Sequence, residues 1–179
     1  RPAPDVFSNN FEQLKDRNQI INGAVMFVGI DGVMQQTEGR LVRWSSQPRS
    51  GRVLEHEMNG LTVGEFSPDG KQVVIGSQGD SMAKIWDLES GKIVYSFRQV
   101  SGVSQARFSP DGKRLLTGSP DQMLRIWDLN TGKLSLEIDG ERAANARFNS
   151  QGNRIVVSSP QGAVGIWDAE SGFPLFGPI

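Results

Sequence analysis

The sequence predicts an all-β protein in which four-stranded antiparallel sheets recur along the chain and shield one another's faces. Three observations predict it. The tryptophans Trp44, Trp86, Trp127 and Trp167 stand 42, 41 and 40 residues apart. The same two turns recur with each of the last three. The segments between turns are short, rich in β-branched and large aliphatic residues, and poor in helical period. Self-similarity at a period of about 40 residues marks a repeat architecture whose units bury a core by stacking.

The turns define the elements. Phe66, Phe108 and Phe148 lie 20, 19 and 19 residues before their tryptophans. Each is followed by a turn: Ser67-Pro68-Asp69-Gly70, Ser109-Pro110-Asp111-Gly112 and the weaker Asn149-Ser150-Gln151-Gly152. Proline presets φ, Asp bonds its own backbone and Gly accepts positive φ. A second turn follows each Trp-Asp pair: Glu89-Ser90-Gly91, Asn130-Thr131-Gly132 and Glu170-Ser171-Gly172. In the middle unit this predicts strands over Lys92–Arg98, Val103–Ser109, Lys113–Gly118 and Met123–Trp127. Val73-Val74-Ile75, Leu115-Leu116 and Ile155-Val156-Val157 are unbroken apolar runs. A sheet with one wet face alternates, so these runs predict sheets covered on both sides.

Recurring Phe, turn and Trp-Asp at this period resemble the WD-repeat family of β-propellers, well over residues 52–172 and poorly over the first 50. The Ser-Pro-Asp-Gly-Lys style also resembles bacterial repeats. The resemblance implies four-stranded antiparallel blades and rings of about seven of them. Residues 23–179 then hold three good units and one eroded unit, about four blades. Three arrangements would reconcile that number with a ring: a fragment of a longer propeller, two chains completing an eight-bladed ring as a homodimer, or four blades closing by themselves. The start at Arg1, without an initiator Met or signal peptide, favours the fragment. Phe173 to Ile179 reads as an outer strand opening a further unit.

The first unit is degenerate. Ala24–Val28 reads as a second strand, Asp31-Gly32 as its turn, Val33–Thr37 as a shortened third strand and Leu41–Trp44 as a fourth. Residues 1–22 carry no repeat signature and are expected to be irregular or an outer strand. Asn9 with Glu12 fits a short helix cap, and Phe11–Lys15 fits a strand.

Family repeats often carry a Gly-His pair whose His joins an Asp, a Ser or Thr, and the Trp in a hydrogen-bonded set. The only histidine here is His56, and no Gly-His pair exists. The Asp six residues before the Trp is present as Asp80 and Asp121 but is Gln161 in the last unit and Glu38 in the first. The complete set is therefore expected in no blade, leaving stability to packing. Burying ~200 Å² of each Trp contributes about 5 kcal/mol at ~25 cal/mol/Å².

Composition narrows function. Net charge is −1, from 19 basic and 20 acidic residues, which gives no general pull toward nucleic acid or anionic lipid. No cysteine occurs, so disulfides, thiolate metal sites and cysteine nucleophiles are excluded. A reduced cytosol and an oxidising periplasm both accommodate that. The longest apolar run falls far short of the ~20 residues of a membrane helix. With one histidine, a Ser-His-Asp set would need His56 as its base, and no nucleophile elbow surrounds it. Asp31, Asp69 and Asp111 sit beside glycines as turn formers rather than metal ligands, and Asp87, Asp128 and Asp168 end strands. The stretch Gly76–Lys84 lacks the Gly-Lys and the helix of a phosphate loop. No enzyme, cofactor or metal is expected.

The remaining candidates for contact with a partner are arginines, whose planar fork bonds carboxylates in two places. Arg107 and Arg147 hold equivalent positions beside Phe108 and Phe148, which argues for a structural role as readily as a binding one. Arg98 and Arg142 lie in non-equivalent loops. The function expected is a non-catalytic scaffold binding protein or peptide. Its alternatives are an accessory subunit of a larger complex, or a sensor fragment whose catalytic domain lies elsewhere.

Overall fold

A computed structural model describes the backbone of residues 19–21, 24–29, 32–37, 40–46, 49–54, 61–139, 145–159 and 162–176, with side chains from residue 63 onward. Asn9, Glu12, Phe11–Lys15, Asp31, Glu38, His56, Arg142 and Gln161 lie outside the described residues. Every described element is a strand. The chain divides into two compact units, Arg1–Glu57 and Met58–Ile179.

In the first unit, β1 (Gln19–Ile21), β2 (Ala24–Gly29), β3 (Gly32–Thr37), β4 (Arg40–Ser46) and β5 (Arg49–Leu54) form one antiparallel sheet in sequence order. The eroded unit thus has a full set of strands plus one, and β3 is not shortened. Trp44 lies opposite Val33 and Gly51.

The second unit holds three four-stranded antiparallel sheets, each in sequence order. The first contains β6 (Leu61–Phe66), β7 (Gln72–Ser77), β8 (Met82–Asp87) and β9 (Ile93–Arg98). The second contains β10 (Gln105–Phe108), β11 (Arg114–Gly118), β12 (Met123–Asp128) and β13 (Lys133–Asp139). The third contains β14 (Asn145–Phe148), β15 (Arg154–Ser158), β16 (Val164–Asp168) and β17 (Pro174–Phe176). This is the architecture of a partial β-propeller. Of the strands β6, β10 and β14, each first in its sheet, β10 neighbours the other two.

Trp86, Trp127 and Trp167 occupy matching places, opposite Val73, Leu115 and Ile155. At each of the three the pairing with the next strand slips by one residue. The pairing of β4 with β5 runs through Trp44 without a slip. The bulge accompanies the Trp-Asp turn, which the first unit lacks: Ser45 follows its tryptophan.

Two sequence expectations are corrected. The strand after each Trp-Asp turn does not open the next sheet but closes the one before it: β9 pairs with β8, and β13 with β12. Pro174–Phe176, expected within Phe173–Ile179 to open a further unit, likewise completes the last sheet through β16. The reason is the turn itself. A tight reversal places the following strand antiparallel to the one it left.

Successive sheets bury a core between them. Val74, Ile85 and Phe97 meet Ala106, Phe108 and Leu115 at the first junction. Leu116, Ile126 and Ile138 meet Ala146, Ile155 and Val157 at the second. Both junctions also carry polar ties. Tyr95 donates its hydroxyl to the Leu129 carbonyl at the first. At the second, Arg114 donates to the carbonyls of Gly152 at 2.5 Å and Ala169 at 3.3 Å, and its guanidinium lies over the Phe148 ring.

Candidate functional site

The aspartates that recur in the sequence are engaged in their own turns. Asp87 accepts from the Ser90 N–H at 2.7 Å and the Ser90 hydroxyl at 2.6 Å. Asp128 accepts from the N–H groups of Asn130 and Thr131, and Asp168 from those of Glu170 and Ser171. These donors hold the Asp87 and Asp168 carboxyls below the usual carboxylate range. Asp69 and Asp111 act likewise in the Pro-Asp-Gly turns, each accepting from a serine hydroxyl at 2.6 Å. Groups that could be proposed as acids or ligands are thus structural acceptors.

Around Trp127 the polar set that the sequence ruled out does form, with a substitute. Trp127 donates its indole N–H to Thr117 Oγ1 at 2.8 Å, and Gln99 Nε2 donates to the same oxygen at 2.9 Å. Gln99, just beyond β9, stands where the family resemblance reserves a place for histidine. Its Oε1 accepts from Arg125 Nη1 at 3.0 Å. Arg125 also bonds Asp121 Oδ2 through Nη2 at 2.7 Å and Glu137 Oε1 through Nε at 2.8 Å. Burial alone would lower the Arg125 pKa, but the two carboxylates outweigh it and raise it. The expectation that packing acts alone is therefore corrected for this sheet. Glutamine carries an N–H donor and a carbonyl acceptor on one amide group, as neutral histidine carries a donor and an acceptor on its ring, so it can occupy the same node. In the sheet before, Asp80 accepts from the Ser77 hydroxyl at 2.6 Å and lies 3.5 Å from Lys84 Nζ.

The described candidate arginines, Arg98, Arg107 and Arg147, lie on three different strands. Arg98 is exposed at the end of β9, an edge strand of its sheet. Arg107 and Arg147 sit on the neighbouring strands β10 and β14. Arg107 is half-buried; its Nη1 donates to the Ala106 carbonyl at 3.2 Å. Its Nε is buried without a hydrogen-bond partner, 3.8 Å from Glu65 Oε1. Arg147 is exposed, and its charge reaches both Glu65 and Arg107. Burial pushes the Glu65 pKa up despite these arginines, and burial lowers that of Arg107.

Sequence reasoning missed Glu65. It occupies the same repeat position as Arg107 and Arg147, immediately before the Phe, and is the single acid in that column. Its Oε2 accepts from the Phe108 N–H at 2.7 Å, tying β6 to β10. Gln105 Oε1 does the same for the Ala146 N–H at 2.7 Å, tying β10 to β14. Alignment of the repeats on their Phe could have found Glu65. The bonds between sheets could not be seen that way.

Comparison with known proteins agrees with this geometry. Residues 50–87 and 91–128 match the profile of the family described as WD domain, G-beta repeat. Two stretches of the chain therefore match WD40 repeats. Over 78 residues it is also 40% identical to THO complex subunit 6 of Arabidopsis thaliana, a stretch that makes up 43% of this chain. The match spans 20% of that relative's length.

Proposed function

We propose that the chain is a non-catalytic WD-repeat module that docks other proteins, as a scaffold or as a subunit fixed in a larger complex. The observation that carries this reading is the one-sidedness of its polar chemistry. The recurring carboxylates are occupied by their own turns, while the described candidate arginines, Arg98, Arg107 and Arg147, have no role in those turns. A relative whose name is that of a complex subunit supports the same direction. Its plant origin lends nothing to the bacterial style of the repeats. Near-neutral charge favours protein over nucleic-acid partners.

A second reading concerns ring completion. The outward face of the β14–β17 sheet exposes Val156 and Val164 at 41% each, where the equivalent Leu116 and Leu124 of the sheet before are 0% and 1% exposed. A second copy of the chain, or further repeats of a longer protein, would cover such a face.

The test is purification of the tagged, full-length protein from its own cells. A stoichiometric companion that survives gel filtration is expected. A monodisperse monomer without a companion, or substrate turnover abolished by a surface mutation, would reject the docking reading.

A further inference from the structure

The two junctions in the second unit differ at one repeat position. At the first, Glu65 accepts the edge N–H of Phe108 with one oxygen and faces Arg107 with the other. At the second, the residue equivalent to Glu65 is Arg107, and the residue equivalent to Phe108 is Phe148. Phe148 lies opposite Ile155 in the register that Phe108 holds opposite Leu115. Its N–H therefore points to the same open edge as that of Phe108, but the side chain at the equivalent repeat position is a donor, Arg107, instead of an acceptor. Arg107 Nε is buried without a hydrogen bond, 3.8 Å from Glu65 Oε1, and the exposed Arg147 on the neighbouring strand adds a second guanidinium. The neighbouring strands β10 and β14 thus carry three donor groups, and Glu65, which faces Arg107, already accepts the Phe108 N–H.

We propose that the seam between β10 and β14 is a carboxylate-binding site. Arg107, Arg147 and the Phe148 N–H together receive a glutamate or aspartate side chain from an acidic segment of a partner protein. Glu65 supplies the precedent, since one planar pair of oxygens there spans a backbone N–H and a guanidinium. Arg147, on the exposed face, gives the entry, and a charge-assisted bond to each arginine gives the strength. Leaving a buried donor unmade is costly, so the site gains by being filled. The proposal rests on the docking reading above and names the chemistry of its partner.

The test uses the whole chain and a fluorescent hexaglutamate peptide, with hexaglutamine, acetate and inorganic phosphate as comparisons. Saturable hexaglutamate binding that weakens with salt is expected, together with a shift of the Phe148 amide resonance. Arg147→Glu is expected to weaken binding at least about tenfold without loss of fold. Arg107→Gln places an amide oxygen opposite Phe148, as Gln105 does for Ala146. It is expected to abolish peptide binding while holding or raising the melting temperature. Equal binding of hexaglutamine, indifference to both substitutions, or phosphate binding as tightly as hexaglutamate would overturn the assignment. A companion protein retained by Arg147→Glu would reject this site and leave the docking reading standing. Hexaglutamate binding by a chain without companions would do the reverse.

Discussion

Thr117 Oγ1 receives two donors, the indole of Trp127 and the amide of Gln99, and is itself buried. Replacing it by valine keeps the shape and removes the acceptor, stranding both donors. Thr117→Val is expected to destabilise the protein by about 2 kcal/mol or more in urea unfolding. A double-mutant cycle with Gln99→Leu should recover part of that loss, because one stranded donor goes with it. Arg125 is bonded to Asp121, Glu137 and Gln99. Its removal leaves carboxylates without their cation, and Arg125→Met is expected to cost about 3 kcal/mol. Loss of less than ~1 kcal/mol in either single variant would show that solvent replaces these bonds.

Each sheet of the second unit turns from its second strand into its third through one residue of positive φ: Ser81 at 55°, Gln122 at 70° and Gly162 at 89°. They stand five residues before their tryptophans. The left-handed region costs a side chain about 1–2 kcal/mol, and only the third sheet meets it with glycine. Gln122→Gly is expected to stabilise by about 0.5 kcal/mol after the entropy of glycine is subtracted. Its measure is the melting temperature. Gly112, at φ 69° in the Pro-Asp-Gly turn, is the converse, and Gly112→Ala is expected to cost about 1 kcal/mol.

Acid acts on the molecule as a whole because five of its aspartates are tuned in one direction. Serine hydroxyls hold Asp69, Asp87 and Asp111 below the usual range, and Ser171 does so for Asp168 through its backbone and hydroxyl. Burial would raise Asp121, but Arg125 lowers it further. Folded values below unfolded ones mean stability that is fully present above about pH 4 and lost as pH falls through the folded values. Glu65 runs the other way, since burial raises it. It is one group against five, so the urea midpoint is expected to fall between pH 5 and pH 3. The exposed face of the last sheet is tested at the same scale. Val156→Thr with Val164→Thr is expected to lower self-association in sedimentation while changing stability little. Val74→Thr, at a fully buried equivalent position, should cost about 1–3 kcal/mol through its unpaired hydroxyl.

Strand positions, both recurring turns and the matching tryptophans were legible in the residues. Each depends on local preference: proline and glycine set φ, aspartate bonds its own turn, and an unbroken apolar run demands cover on both faces. The sequence by itself thus determined the repeated four-stranded sheet. Only the tertiary structure decided which strands share a sheet, that Gln99 stands in for histidine beside Thr117, and that Glu65 reaches across to the edge N–H of Phe108 and faces Arg107. Those outcomes depend on backbone groups and side chains about 20 to 40 residues apart meeting across an interface. No local preference encodes such a meeting, because its energy exists only once the sheets have stacked.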